Sequence, residues 1–81
     1  MRVTVRVFAR LRELAGREAW VVEAPDNATV RDVWRTAVAA HPALAPFESA
    51  ISTAVNAEFA RMASPVRDGD DVAFLPPVSG G

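Results

Sequence analysis

Only one stretch of this chain carries an apolar stripe of helical period long enough to demand a partner. Val30, Val33, Trp34, Ala37 and Val38 recur at spacings of three and four, while Arg31, Asp32 and Arg35 fall off the stripe. Thr29 suits the N-cap, and Asp32 at the third helical position can return the second hydrogen bond of a capping box. Pro42 limits the far end, because it disfavours helical backbone at His41 before it. A lone amphipathic helix cannot bury such a stripe by itself. It needs one face of a sheet, and the rest of the chain offers short runs with the two-residue period of strands.

Val3, Val5 and Val7 alternate with Arg2, Thr4 and Arg6, which predicts a half-buried strand, with Phe8 on the opposite phase. Beyond a polar stretch, residues 10–16, read as a loop, Ala19–Glu23 reads as a second strand antiparallel to the first, closed by turn formers at 24–27. Residues 42–52 permit a short helical turn packed by Leu44, Phe47 and Ile51. Residues 53–55 and 59–61 read as short strands about a turn at Asn56, Ala57 and Glu58. Asp68-Gly69-Asp70 is a further turn, and Asp71–Leu75 is a last strand stopped by Pro76 and Pro77. The expected fold is α+β, a mixed sheet of four or five strands packed on one main helix, with the first and last strands central and adjacent. At 81 residues the chain has room for one core and one site.

Composition removes several chemistries. There is no cysteine, hence no disulfide, thiolate metal site, iron–sulfur cluster or thiol nucleophile. All nine cationic side chains are arginines, dispersed along a chain of net charge −1, which argues against nucleic acid as a partner. The longest uncharged stretch, residues 36–47, is broken by prolines and too short to span a membrane, and the alternating start lacks a signal peptide's apolar segment, so a cytoplasmic protein is expected. No glycine-rich phosphate loop and no His-Glu-x-x-His is present. The single histidine, His41, reads as a cation or donor facing the last carbonyls of the helix. Asp68, Asp70 and Asp71 lack the spacing of a calcium loop and read as a solvated turn, so no metal site is expected. Glu13, Glu18 and Glu23 read as surface charges.

What remains is the end, Leu75-Pro76-Pro77-Val78-Ser79-Gly80-Gly81. Two prolines stiffen it toward an extended, unpaired conformation, and two glycines make a thin lead that can thread a narrow channel. The expected division is a folded domain over residues 1–76 and a flexible tail over 77–81. Phe8 and Leu75, out of phase with Val3/Val5/Val7 and Val72/Phe74, should emerge on the sheet face away from the helix. Phe59 is either part of that exposed patch or a core residue in phase with Val55 and Ala57.

F-A-R-L-R-E-L-A-G over residues 8–16, T-V-R-D-V opening the helix, and D-G-D-D-V-A-F-L-P-P-V-S-G-G over residues 68–81 closely resemble the MoaD family, the small ubiquitin-like subunits of molybdopterin synthase. The resemblance covers essentially the whole chain and implies the β-grasp fold and a role as sulfur carrier in molybdenum cofactor biosynthesis. It implies that an ATP-dependent, MoeB-like activating enzyme related to those of ubiquitin adenylates Gly81, and that a sulfur donor system converts it to a thiocarboxylate. A MoaE-like large subunit then receives the tail and places two sulfurs on cyclic pyranopterin monophosphate, in an assembly of two small and two large subunits. No permanently bound cofactor is implied. Gly80 would permit passage into both partners, Pro76, Pro77, Val78 and Ser79 would enter with it, and Phe8, Phe59 and Leu75 match the family's hydrophobic contact surface.

Arg12 and Glu13 also match motif positions, with ionic docking and plain solvation both open. The family often has a smaller aliphatic residue where Phe59 stands and an aromatic where Leu75 stands. Without cysteine, no side chain offers a persulfide route, which leaves the C-terminus as the carrier. Related carriers serving thiamine, cysteine or tRNA thiolation, ubiquitin-like protein modifiers, and a plain interaction module stand as alternatives.

Overall fold

A computed structural model describes residues 1–77; Val78, Ser79, Gly80 and Gly81 lie outside the described residues. The chain runs β1 (Arg2–Val7), α1 (Ala9–Ala15), β2 (Ala19–Glu23), α2 (Val30–Ala40), a 3-10 turn (Pro42–Phe47), β3 (Ser52–Val55), β4 (Glu58–Ala60) and β5 (Asp71–Leu75). The sheet order is β2-β1-β5-β3-β4, with β1 and β5 parallel and every other pair antiparallel. Parallel neighbours need a long crossover, and the segment carrying α2 supplies it. This is the β-grasp architecture, with the first and last strands adjacent inside the sheet.

The period of two decides what α2 meets. Register pairs Val5 with Val72 and Val7 with Phe74 across β1 and β5. Val3, Val5, Val7, Val72 and Phe74 therefore share one face, each at 1% exposure or less. Val30, Val33, Trp34 and Ala37 of α2 are buried against it. The Trp34 and Phe74 rings meet edge-on with centroids 4.9 Å apart. Each such side chain contributes roughly 1.5–3 kcal/mol by leaving water, so this layer is the main source of stability. Its one buried polar residue, Thr53, donates its hydroxyl to the Ala60 carbonyl at 2.7 Å. The Trp34 indole N–H is buried without a partner among the described residues.

The start of α2 is fixed by the capping box expected of Thr29 and Asp32. Thr29 Oγ1 accepts from the Asp32 N–H at 3.4 Å, and the Thr29 N–H donates to Asp32 Oδ2 at 2.9 Å. That backbone donor, with the Thr29 hydroxyl behind it, holds the Asp32 carboxyl below the usual carboxylate range. The helix ends at Ala40, one residue before His41, as Pro42 dictates.

Three expectations are corrected. Residues 10–16 are not a loop: Ala9–Ala15 is α1, anchored by fully buried Leu11 and closed by Gly16 at φ 71°, whose N–H donates to the Arg12 carbonyl at 2.9 Å. The turn after β3 holds two residues, Asn56 and Ala57, so that β4 begins at Glu58 and ends before Arg61. His41 serves the last turn of α2 with its backbone N–H, which donates to the Ala37 carbonyl at 2.8 Å. Its ring instead packs edge-on against Trp20 at 4.9 Å, and its Nε2 has no partner among the described residues.

The acidic turn is tied into the fold. Asp68 accepts from the Arg2 N–H at 2.7 Å, and Asp70 from the Arg67 N–H at 2.8 Å. Among the described residues no helix is long and apolar enough to cross a membrane.

Candidate docking groove

The sheet face opposite α2 is built from the alternate phase of the same strands. Register sets Ala73 of β5 beside Ala54 of β3, and Ala54 beside Phe59 of β4. Residues directly opposite in an antiparallel pair point to the same face, so these three form a row across the sheet. The two alanines make a low floor. Phe8, Ala57, Phe59 and Leu75 rise around it and enclose a recess of about 250 Å³. A second hollow of about 290 Å³ shares Phe8, Ala57 and Ala73 and continues to Arg6, Asn56 and Asp71.

Phe59 is 90% exposed, which removes it from the core and leaves the patch reading. The cause is the turn length. With two residues in the turn, Phe59 pairs with Ala54 rather than following the phase of Val55 and Thr53. Phe8 is 40% exposed and caps the start of α1 in extended backbone, while Leu75 is half-buried at the end of β5. Pro76, half-buried, and Pro77, exposed, lead away from Leu75.

One ion pair borders the recess. The Arg6 guanidinium grips Asp71 through Nη2 at 2.8 Å and Nε at 3.2 Å. This hydrogen bonding, then the carboxylate's charge, raises Arg6 above its ordinary value. Arg12 is exposed on α1 and does not line the recess, and Glu13 pairs with Arg10 at 3.0 Å. Of the candidate residues within the described part, the fold gathers Phe8, Phe59 and Leu75 at one place and leaves Arg12 to one side. Val78, Ser79, Gly80 and Gly81 lie outside the described residues.

Sequence reading missed Ala54, Ala57 and Ala73, because alanines attract no attention in a search for chemistry. For Ala54 and Ala73 the signal was their phase, alternate to Thr53, Val55, Val72 and Phe74 in short strands, whereas Ala57 stands in the turn and gave none. A larger and more polar hollow of about 420 Å³ lies between the β3–β4 turn and the loop at Ser64 to Asp70. There Asp70 already accepts from Asn56 Nδ2 and the Arg67 N–H. The apolar recess carries no histidine, hydroxyl or unpaired carboxylate in its lining. Such a surface can bind, but offers no group for acid–base or nucleophilic work.

The model of the ThiS family matches residues 5–81. The chain is 39% identical over 83 residues to the molybdopterin synthase sulfur carrier subunit of Chlamydomonas reinhardtii, covering 100% of both chains. It superposes on the crystal structure of SAMP1 from Haloferax volcanii with a TM-score of 0.91 at 34% identity, again over 100% of both. It also superposes, with a TM-score of 0.70 and 26% identity over 100% of both chains, on a chain of the complex of subunits 1 and 2 of molybdopterin-converting factor from Helicobacter pylori.

Proposed function

The chain belongs to the ThiS family, and from that premise we propose that it is the sulfur-carrying small subunit of a molybdopterin synthase. The observation that carries this reading is a matter of position. Of the two adjoining hollows on the open sheet face, the more apolar is lined by Leu75, and Leu75 is the residue from which Pro76 and Pro77 lead in sequence toward Gly80 and Gly81. A protein that covers the recess is thereby within reach of the end of the chain. The sulfur carrier subunit from Chlamydomonas and the two-subunit complex from Helicobacter support the same assignment.

In this reading the Gly81 carboxylate attacks the α-phosphorus of ATP in a MoeB-like activating enzyme, and pyrophosphate leaves. A carboxylate is a poor electrophile, whereas the acyl adenylate is a good one. Sulfide-level sulfur from a donor then attacks the acyl carbon, AMP leaves, and a thiocarboxylate remains on Gly81. The tail enters a MoaE-like large subunit, where cyclic pyranopterin monophosphate takes the sulfur and water restores the carboxylate. Gly80 keeps the lead narrow, and Val78 and Ser79 fill the entry behind it. Phe8, Phe59 and Leu75 supply the apolar contact, and Arg12 lies to the side as an ionic contact.

Intact mass after incubation with the activating enzyme, ATP and a sulfur source tests the proposal. An oxygen-for-sulfur gain mapped to Gly81 is expected. No gain there, or full synthase activity in a chain extended by one residue after Gly81, overturns it. The likeness to SAMP1, a small archaeal modifier protein, favours a second reading, in which the activated Gly81 is joined to lysines of other proteins. Isopeptide adducts through Gly81 in cell extract, without sulfur delivery to the pterin, would select that reading instead.

A further inference from the structure

Among the described residues five positions adopt left-handed backbone: Gly16 at φ 71°, Gly69 at φ 86°, Ala9 at φ 51°, Asn56 at φ 51° and Ala57 at φ 69°. The two glycines stand away from the recess, with nothing within 4 Å of where a Cβ would sit. Of the three other residues, Asn56 and Ala57 line the hollows and Ala9 follows Phe8. Ala57 is the informative one. Asparagine tolerates this region, alanine does so only under strain, and a two-residue hairpin turn of this hand favours Asn-Gly. The chain uses glycine at two other left-handed turns but keeps a methyl group here.

The strain at Ala57 is imposed by its neighbour. The Asn56 N–H donates to the Asp71 carbonyl at 2.8 Å. Its side-chain Oδ1 accepts from the Asp71 N–H at 2.9 Å, and its Nδ2 donates to Asp70 Oδ1 at 2.9 Å. Pinned to the start of β5 by these bonds, the turn leaves Ala57 no relaxed alternative. What the strain holds in place is a methyl group on the wall of both hollows, beside Phe8 and Ala73.

We propose that Ala57 is an affinity-determining contact, its strained backbone presenting a methyl wall against which the large synthase subunit that receives Gly81 seats an apolar side chain. This rests on the sulfur-carrier reading. The occupant follows from reach: the six residues after Leu75 extend at most about 20 Å. The large synthase subunit that takes Gly81 into its centre is therefore held within that distance of the recess, the apolar hollow that Leu75 lines.

The test pairs two readouts that a purely structural alanine would not move in opposite directions. For A57G, the melting midpoint of the free chain should rise by about 2–5 °C as the strain is released. Its dissociation constant for the large synthase subunit, measured by calorimetry, should weaken about fourfold, the worth of one methyl returned to water. A57S, which restores the Cβ, should behave close to wild type in both. A fall in midpoint, or A57G affinity equal to wild type, overturns the proposal alone. Failure of the wild-type chain to bind the large subunit overturns the sulfur-carrier reading and this proposal with it. Self-association of the free chain that A57G abolishes would assign the recess to a second copy and likewise overturn it.

Discussion

One sheet presents two faces that differ in the size of their side chains more than in their backbone. Toward α2, the alternate residues of β1 and β5 are valines and Phe74, all at 1% exposure or less. On the other face, the intervening positions of β3 and β5 include Ala54 and Ala73, with Phe8, Phe59 and Leu75 around them. Branched and aromatic side chains on the first face fill the space beneath the helix. Small residues ringed by large ones on the second leave a recess that nothing among the described residues covers. A period of two thus writes a core on one phase and an unfilled contact surface on the other.

The comparison is broken most directly from the core side. Trp34→Ala removes the ring that meets Phe74 and is expected to cost about 3–5 kcal/mol. That is a large share of the roughly 5–15 kcal/mol available to a domain of this kind. Chemical denaturation would read the loss. Trp34→Phe keeps an aromatic ring and deletes the unpartnered indole N–H but leaves part of the indole's volume empty, so its cost should be smaller, about 1–3 kcal/mol. If both variants unfold alike, neither the volume nor the ring that phenylalanine retains carries weight, and the loss belongs to the indole itself.

Phe59→Ala addresses the other face with the opposite signature. At 90% exposure the side chain contributes little to folding, and stability should change by no more than about 0.5 kcal/mol. Affinity for the large synthase subunit should fall by about thirtyfold, the loss typical of an aromatic anchor at the centre of an interface. A stability loss comparable to that of Trp34→Ala would erase the distinction between the faces.

Much of this contrast was legible in the sequence, and the gaps have physical causes. The valine alternation in β1 and the stripe on α2 are long enough for their period to show, and the capping box adds a local marker. Helix α1 was missed because seven residues hold only Leu11, Leu14 and Ala15 as a stripe among arginines and a glutamate. Gly16 beyond them was the available stop signal. Phe59 stayed ambiguous for a reason of counting. A three-residue turn at Asn56, Ala57 and Glu58 and the actual two-residue turn differ by one residue, and one residue exchanges the faces of everything after it. The recess floor was hidden because alanines signal by what they leave empty.

A smaller effect comes from the start of α2, which closes the inner face without touching the outer one. Thr29→Ala removes the side-chain half of the cap and should cost about 1 kcal/mol. In a domain of this size that is a fall of about 4–8 °C in the melting midpoint. Binding of the large subunit below that temperature should be unchanged. If binding weakened in step with stability, the two faces would be coupled through α2 rather than independent.

The smallest expected effect is in the pH dependence of the same cap. The Asp32 carboxyl lies below its ordinary value chiefly because the Thr29 backbone N–H donates to it, then because of the Thr29 hydroxyl, with the Arg35 and Arg31 charges adding to the same direction. The folded state therefore favours the ionised form more than the unfolded chain does. Its contribution to stability is complete above the ordinary aspartate range, and it is lost as the pH falls through that range and then through the lower folded value. Asp32→Asn keeps an amide oxygen that can accept from Thr29 but carries no charge to titrate. The variant should be less stable than wild type near neutrality, and the gap between their urea midpoints should close on acidification. A gap that stays constant with pH would mean that the cap works through hydrogen-bond geometry alone, with no share from the ionised carboxylate. The lining of the recess around Phe59 is uncharged, with the Arg6–Asp71 ion pair at its border, so the affinity difference between wild type and Phe59→Ala should follow pH less closely than the cap does.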